Sequence, residues 1–148
     1  MGEPSNEEIV RSYWLARGKH DHATVSSLRH ADWTVEWPQS GELVRGDAND
    51  QRIMDEYPGG EPHFDTTRIV GSEDRWVATP SFTLARVVGS GDFWWGDGIG
   101  TYPDGSRWYI VSLVEIRDGK IWREVAYFAP PLDPPEWRSA YVEPLRSR

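Results

Sequence analysis

The stretch WYIVSLVEIRDGKIWREVAYF, residues 108–128, decides the fold. Two runs rich in β-branched and aromatic residues, 108–116 and 120–129, flank the pair Asp118-Gly119. Both residues of an Asp-Gly pair tolerate the positive φ angles that the tight turn of a β-hairpin requires. The stretch therefore predicts two antiparallel strands joined by a short turn.

Further strands are expected before this hairpin. A short one, 33–37, alternates ring and polar residues up to Pro38 and can pair with a run at 42–45. Longer runs of β-branched and aromatic residues lie at 64–70, 75–88 and 92–102. Turn residues separate them, and a second Asp-Gly pair stands at Asp104-Gly105. The second half of the chain thus predicts an antiparallel meander.

The first third of the chain predicts three helices. Ser5 and Glu8 form a capping-box pattern ahead of apolar residues at helical spacing, namely Ile9, Val10, Tyr13 and Trp14. A second helix is expected over 21–29, and Asp47 is a candidate N-cap for a third, which carries Ile53, Met54 and Tyr57. Helices followed by an antiparallel sheet predict an α+β fold.

The chain is predicted to be one domain, 1–148, because no linker, repeat or low-complexity segment divides it. Residues 130–148 form a proline-rich C-terminal arm with a short helix over 137–142. Trp137 and Tyr141 are four residues apart on that helix and are expected to hold the arm on the body of the domain.

Composition excludes several classes of function. The chain has 148 residues, no cysteine and a formal net charge of −8, so disulfides and thiolate metal sites are excluded. The negative charge and the absence of a Lys/Arg run argue against nucleic acid or a membrane surface as a partner. The acidic start lacks the order of a signal peptide, which favours a cytoplasmic protein. No metal site and no bound cofactor are expected, since no histidines stand at i, i+4.

The aromatic content indicates an internal pocket. Nine Trp, six Tyr and four Phe are more rings than packing alone usually needs. A strongly curved sheet closed by the early helices forms a cone with an apolar interior. Candidate lining residues are Trp33, Trp37, Met54, Tyr57, Trp108, Trp122 and Phe128. Of the neighbours Trp94 and Trp95, only one can face inward, and the other suggests an association surface.

The order of elements and several local strings resemble the nuclear transport factor 2-like superfamily. The strings run from Ile9-Val10-Arg11-Ser12-Tyr13 to Gly119-Lys120-Ile121 and Tyr127-Phe128. The superfamily includes ketosteroid isomerase, limonene epoxide hydrolase, scytalone dehydratase and SnoaL-like polyketide cyclases. The resemblance implies the cone fold and a homodimer that uses the outer sheet face, but no single activity, since one fold hosts many.

The functional residues of these relatives match this chain only in part. Tyr13 falls where ketosteroid isomerases carry a tyrosine that donates to the developing oxyanion. Trp37 and Ser112 stand where those enzymes carry the general-base and the protonated aspartate. Ala126 stands where epoxide hydrolases and SnoaL-like cyclases carry a catalytic aspartate in the last strand. The resemblance therefore implies neither established mechanism in its usual form.

Glu124 is the remaining carboxylate of interest. Alternation along a strand places it in one row with Trp122, Ala126 and Phe128. If Ala126 faces the cavity, as the resemblance implies, Glu124 does too, and it is then suited to general acid–base work. Alternatively, Glu124 reaches solvent at the rim or pairs with an arginine, such as Arg107 or Arg123.

These residues predict a cofactor-independent acid–base enzyme that isomerises, dehydrates, cyclises or hydrolyses a small hydrophobic molecule. Glu124 is the titrating group, Tyr13 a donor to developing oxygen charge and Ser112 a secondary polar contact. His63, at the start of a strand, is a further candidate acid or base. The alternatives are a non-catalytic small-molecule-binding or dimerisation module and a module whose partner is another protein.

Overall fold

The computed structural model describes residues 2–65, 68–70, 76–78 and 86–145. Within these residues there are three α-helices, α1 (Asn6–Gly18), α2 (His22–Leu28) and α3 (Asp47–Asp55). The strands are β1 (Arg29–Trp37), β2 (Glu42–Arg45), β3 (His63–Asp65), β4 (Arg68–Val70), β5 (Trp76–Ala78), β6 (Arg86–Ser90), β7 (Phe93–Thr101), β8 (Arg107–Arg117) and β9 (Lys120–Ala129). A 3₁₀ helix, Glu136–Tyr141, follows. The α+β prediction is confirmed.

Local sequence signals start the first two helices as expected. The Ser5 hydroxyl accepts a hydrogen bond from the Glu8 amide, and the Glu8 carboxylate accepts one from the Ser5 amide at 2.7 Å. Asp21 caps α2 by accepting from the Thr24 amide. The expectation for Asp47 is wrong, because Gly46 takes the N-cap position and Asp47 begins α3. The Asp47 carboxylate instead accepts hydrogen bonds from the side chains of Arg29 and Ser26.

The main sheet curls into a half-barrel around the helices. Its strand order is β2-β1-β9-β8-β7-β3, and β6 also pairs with β7. The β1–β9 pair is parallel, and the other pairs of this sheet are antiparallel. The strands β4 and β5 form a separate two-stranded sheet. The buried face of α1 packs with the concave side of the main sheet to form the core.

The hairpin predicted at Asp118-Gly119 is confirmed and sets the register of the sheet. Both residues have positive φ, 52° and 68°, as this turn requires. Val114 lies opposite Glu124, and Val35 of β1 lies opposite Glu124 on its other side. Trp94 lies opposite Val114 and is buried in the core, whereas its neighbour Trp95 is only partly buried. Strand alternation therefore carries one row of side chains across the concave face.

The expectation that Trp122 faces the cavity is wrong, because a β-bulge interrupts the alternation at that residue. Glu115 pairs with Arg123 and Ile116 pairs with Ile121, which leaves Trp122 as the extra residue. Ile121 is fully buried in the core. The Trp122 ring lies on the outer face, with the guanidinium of Arg123 4.0 Å from its centroid. The bulge thus moves Trp122 outside while Glu124 stays inside.

The C-terminal arm differs from the expected arrangement. Its helix is of the 3₁₀ type, and Trp137 and Tyr141 are 77% and 85% exposed. The expectation that these rings hold the arm on the domain is therefore wrong. In the described part of the chain, no helix is both long and apolar enough to cross a membrane.

Candidate active site

A cavity of about 110 Å³, here called the inner chamber, lies on the concave face of the sheet. The curled sheet provides most of its wall, and α1, α3 and Phe64 of β3 close it. Side chains from β1, β8 and β9 line it at alternate positions, namely Trp33, Val35, Trp37, Ile110, Ser112, Glu124, Ala126 and Phe128. The wall is mostly apolar, so a polar group in it is a candidate for function.

Glu124 is the acidic group that β9 brings into this chamber. Its side chain is buried, and the residue is only 7% exposed. One carboxylate oxygen, Oε2, accepts hydrogen bonds from the Tyr13 hydroxyl at 2.7 Å and from Trp33 Nε1 at 2.8 Å. The other, Oε1, accepts no hydrogen bond from the described residues. Glu124 is therefore held through Oε2 at the wall of the chamber that it lines.

Tyr13 lies behind Glu124 and does not line the chamber. It is fully buried, and its hydroxyl accepts a hydrogen bond from Arg29 Nε at 3.0 Å while donating to Glu124. Burial, together with the nearby Glu124 charge, raises the pKa of Tyr13 well above its ordinary value, so the phenol remains a donor. In place of the expected contact with substrate oxygen, the Tyr13 hydroxyl orients the carboxylate.

A buried charge network supports Tyr13 from behind. Arg29 Nη1 contacts Asp47 Oδ1 and Asp50 Oδ2, each at 2.8 Å, and the guanidinium stacks 3.6 Å from the Trp33 ring centroid. Burial lowers the pKa of Arg29, but the acidic groups around it, Tyr13, Glu124 and Asp50, outweigh this and raise it. Arg29 therefore stays charged and holds the orientation of both Glu124 donors.

Arg17 and Asp50 were not predicted from the sequence, yet both line the inner chamber. Arg17 Nη1 contacts Asp50 Oδ2 at 2.9 Å, and Asp50 is shared with Arg29. The available signal was the spacing of Arg17 from Tyr13, because residues four apart lie on the same face of a helix. Asp50 gave no such signal, since its burial depends on the packing of α3 against distant elements.

Of the other two predicted catalytic residues, Ser112 lines the inner chamber and His63 does not. Ser112 lines the inner chamber opposite Ala126, as strand register dictates. His63 is exposed, pairs through its backbone with Thr101, and its ring lies edge-on to His20 at 5.6 Å. His63 is not among the residues that line the inner chamber. Among the described residues, no group of three His, Cys, Asp or Glu side chains is placed to hold a metal ion.

A second cavity of about 510 Å³, here called the outer chamber, adjoins the first. Tyr57 and Trp108, both expected to contact substrate, line it together with Tyr102. Trp33 lines only the inner chamber, whereas a set of predicted residues lines both chambers, namely Trp37, Met54 and Phe128. The predicted binding residues, apart from Trp122, are thus divided between two connected spaces.

Removing the Tyr13 hydroxyl is expected to destabilise the fold. In Tyr13→Phe, Glu124 Oε2 keeps only the Trp33 donor and Arg29 Nε is left unpaired, so the free energy of unfolding falls by about 1–3 kcal/mol. Urea denaturation followed by circular dichroism measures the change. Tyr109→Phe is the matched control, because Tyr109 is 58% exposed and its change should be within about 0.5 kcal/mol. Equal losses in the two variants would contradict the assigned role of Tyr13.

Solved structures with the same architecture are known. An NTF-2 like protein of unknown function from Burkholderia xenovorans LB400 is 27% identical, with a TM-score of 0.70 over 94% of this chain and 94% of that chain. A "putative ketosteroid isomerase" from Kribbella flavida is 22% identical, with a TM-score of 0.71 over 94% and 88%. An LEH-like epoxide hydrolase from M. tuberculosis is 16% identical, with a TM-score of 0.56 over 81% and 79%.

The comparison with curated proteins gives no match. The sequence profile of the SnoaL-like domain matches residues 10–124, which span the helices and the strands that build the inner chamber as far as Glu124. This match covers well over half of the chain, and the fold and the nuclear transport factor 2-like neighbours agree with it. The chain belongs to the SnoaL-like domain family.

Proposed function

We propose that this protein is a cofactor-independent acid–base enzyme that acts on a small hydrophobic molecule, with Glu124 as the group that moves the proton. One observation carries the proposal: a buried carboxylate is fixed through Oε2 by two donors and lines a mostly apolar chamber. An oriented general base or acid of this kind typically contributes about 10²–10⁴-fold to a reaction rate.

The proposed chemistry begins with proton abstraction by Glu124. Oε1 takes a proton from a carbon next to a carbonyl, and negative charge develops on the carbonyl oxygen. Ser112 and Arg17 line the same chamber and offer a hydroxyl and a positive charge to that oxygen. Return of the proton to another carbon completes an isomerisation. Alternatively, Glu124 returns the proton to a hydroxyl on the neighbouring carbon, the C–O bond breaks and water leaves, which completes a dehydration. Tyr13 and Trp33 act as positioning residues because both hold Oε2.

The names of structural neighbours are compatible with this class of reaction. One neighbour is named a "putative ketosteroid isomerase" and another an LEH-like epoxide hydrolase, and isomerisation and hydrolysis are both among the reactions proposed here. Their identities to this chain, 22% and 16%, support only the fold. The proposal therefore rests on Glu124 and includes cyclisation and hydrolysis as alternatives within the same chemistry.

A homodimer in the cytoplasm belongs to this proposal. Support comes from apolar side chains on the convex face of the sheet, where Tyr109, Val111 and Tyr127 are 58%, 38% and 42% exposed. Val111 and Tyr127 are direct neighbours in the β8–β9 register, so these residues form one patch. An exposed patch of this kind is typical of an association surface.

Incubation of the purified protein with small hydrophobic ketones, enones, epoxides and β-hydroxyketones in D₂O tests the proposed function. Mass spectrometry and NMR report both new product and deuterium incorporated next to a carbonyl. Product or exchange with the native protein, but not with Glu124→Gln, supports the proposal. Product that persists unchanged in Glu124→Gln overturns the assignment of Glu124.

The second candidate function is non-catalytic binding of a small molecule. It is favoured by Ala126 and Ser112, which line the inner chamber where the resemblance predicts catalytic aspartates. Binding of several of these compounds by titration calorimetry, with neither product nor deuterium exchange, would favour this candidate over the enzyme.

A further inference from the structure

We infer that the ligand is a neutral two-part molecule, with a head no larger than one small ring in the inner chamber and a flat apolar body in the outer chamber. This inference rests on the proposed function for the position of the reacting atoms, since it places the head at Glu124. The sizes and linings of the two chambers carry it.

The inner chamber is too small for a complete ligand of ordinary size. Its volume is about 110 Å³, whereas an engineered apolar cavity of about 150 Å³ holds one benzene molecule. Gly96 and Gly98 of β7 contribute to its wall, opposite Ser112 and Ile110 in the register. Trp94 of the same strand points into the core, and positions two and four residues after it share its face, so a side chain at either glycine would project inward. The chamber therefore admits at most one small ring beside Glu124.

The outer chamber has the size and the surface for a larger body. Its volume of about 510 Å³ falls within the range of about 300–1,000 Å³ that small-molecule sites occupy. Three rings form a continuous aromatic wall, with centroids 6.2 Å apart for Tyr57 and Tyr102 and 5.5 Å apart for Tyr102 and Trp108. Burial raises the pKa of Tyr102 to about 12, so this wall is uncharged at neutral pH. Flat apolar groups stack well on such surfaces.

The two chambers meet at shared side chains. Trp37, Met54, Phe64 and Phe128 line both cavities, and the Trp37 and Phe128 rings contact edge to face with centroids 6.4 Å apart. Gln39 also lines the outer chamber, and its side-chain oxygen accepts a hydrogen bond from the Phe128 amide. This bond fixes the loop after β1 to the end of β9. A ligand that spans the chambers must therefore be narrow where it passes these rings.

The charges around the chambers favour a neutral ligand. Arg17 and Arg29 are balanced by Asp47 and Asp50, and two further carboxyl groups, those of Glu124 and Asp97, line the inner chamber. Among the described residues that line the outer chamber, Asp104 is the only charged one. An anionic head or body would meet net negative charge in both places, which is unfavourable.

Titration calorimetry with three probes tests the inference: cyclohexanone as head alone, naphthalene as body alone, and 4-(2-naphthyl)cyclohexanone as both. Calorimetry does not depend on tryptophan fluorescence, so variants of tryptophan remain comparable. The joined probe is expected to bind at least tenfold more tightly than either part. Gly98→Val is expected to lower the affinities for cyclohexanone and for the joined probe at least tenfold. The affinity for naphthalene should change by less than threefold.

Variants of the outer chamber test the binding of the body separately from that of the head. In Trp108→Ala and in Tyr102→Ala, the joined probe is expected to bind no more tightly than cyclohexanone. The affinity for cyclohexanone itself should change by less than threefold. Trp137→Ala on the exposed arm is the matched control and should change none of the affinities. The inference is overturned if the joined probe binds less than threefold more tightly than its tighter-binding part. It is also overturned if the outer-chamber variants lower the affinities for cyclohexanone and for the joined probe equally.

These affinities are measured without turnover, so they separate the inference from the proposed function. The expected binding pattern with no Glu124-dependent reaction would refute only the enzyme. A Glu124-dependent reaction of cyclohexanone-sized molecules, with no gain from the body, would refute only the two-part ligand. Thermal unfolding of each variant shows whether it is folded. If one of the two outer-chamber variants, Trp108→Ala or Tyr102→Ala, does not fold, the other one decides the result.

Discussion

The Arg29→Met variant is expected to lose about 3–5 kcal/mol of unfolding free energy, because it removes one partner of a buried charge network. The Arg29 side chain is 2% exposed and contacts Asp47, Asp50 and the Tyr13 hydroxyl. Methionine fills much of the same volume, so the loss reports mainly the charge. Asp50, whose side chain is 5% exposed, would keep Arg17 as its cationic partner.

Urea denaturation of Arg29→Met and of a matched control measures this effect. Arg52→Met makes the same substitution at the surface, where Arg52 and Glu56 are 77% and 74% exposed and 3.6 Å apart. Exposed pairs of this kind contribute about 0–1 kcal/mol. A loss in Arg29→Met no greater than that in Arg52→Met would show that the network does not stabilise the fold.

The Glu124→Gln variant is expected to lower turnover by about 10²–10⁴-fold once a substrate is identified, because it removes the carboxylate that is proposed to move the proton in the inner chamber. Glutamine keeps the shape of the side chain, and its amide oxygen can still accept from Tyr13 and Trp33. Affinity for the substrate should therefore change far less than the rate, which separates lost chemistry from lost binding.

Glu36→Gln is the control for this experiment. Glu36 lies on β1, next to β9 in the sheet, but its side chain is exposed on the outer face. Steady-state rates of the two variants, compared at saturating substrate, should differ by the full expected factor. If both variants lose the same small fraction of activity, the proton is moved by another group.

The candidate site was only partly predictable from the sequence. The row of Glu124, Ala126 and Phe128 follows from strand alternation, and these residues do line the inner chamber. Trp122 belongs to the same numerical row but lies outside, because the bulge opposite Glu115 and Ile116 shifts the alternation. A bulge depends on how two strands pair, and neither strand alone encodes where the mismatch falls.

The partners of Glu124 were also beyond sequence reasoning. The sequence left open an ion pair with Arg107 or Arg123, or exposure at the rim, yet the observed partners are Tyr13 and Trp33. These residues lie 111 and 91 positions away along the chain. Nothing in the local pattern of either residue specifies such a contact. The Tyr13 contact is created when α1 packs against the concave sheet, and the Trp33 contact when β1 pairs with β9.

Periodicity, capping and turn chemistry by themselves predicted the α+β fold, its three early helices and the strands near 33–37, 42–45, 92–102, 108–116 and 120–129, because each of these signals acts within a few residues. The strands predicted at 64–70 and 75–88 lie partly outside the described residues. Hydrogen bonds at Ser5 and φ angles at Asp118 and Gly119 needed no distant partner. Only the tertiary structure decided that Glu124 is held through Oε2 and lines the inner chamber. It also divided the interior into two chambers, because cavity shape is set by side chains from strands and helices that are far apart in the chain.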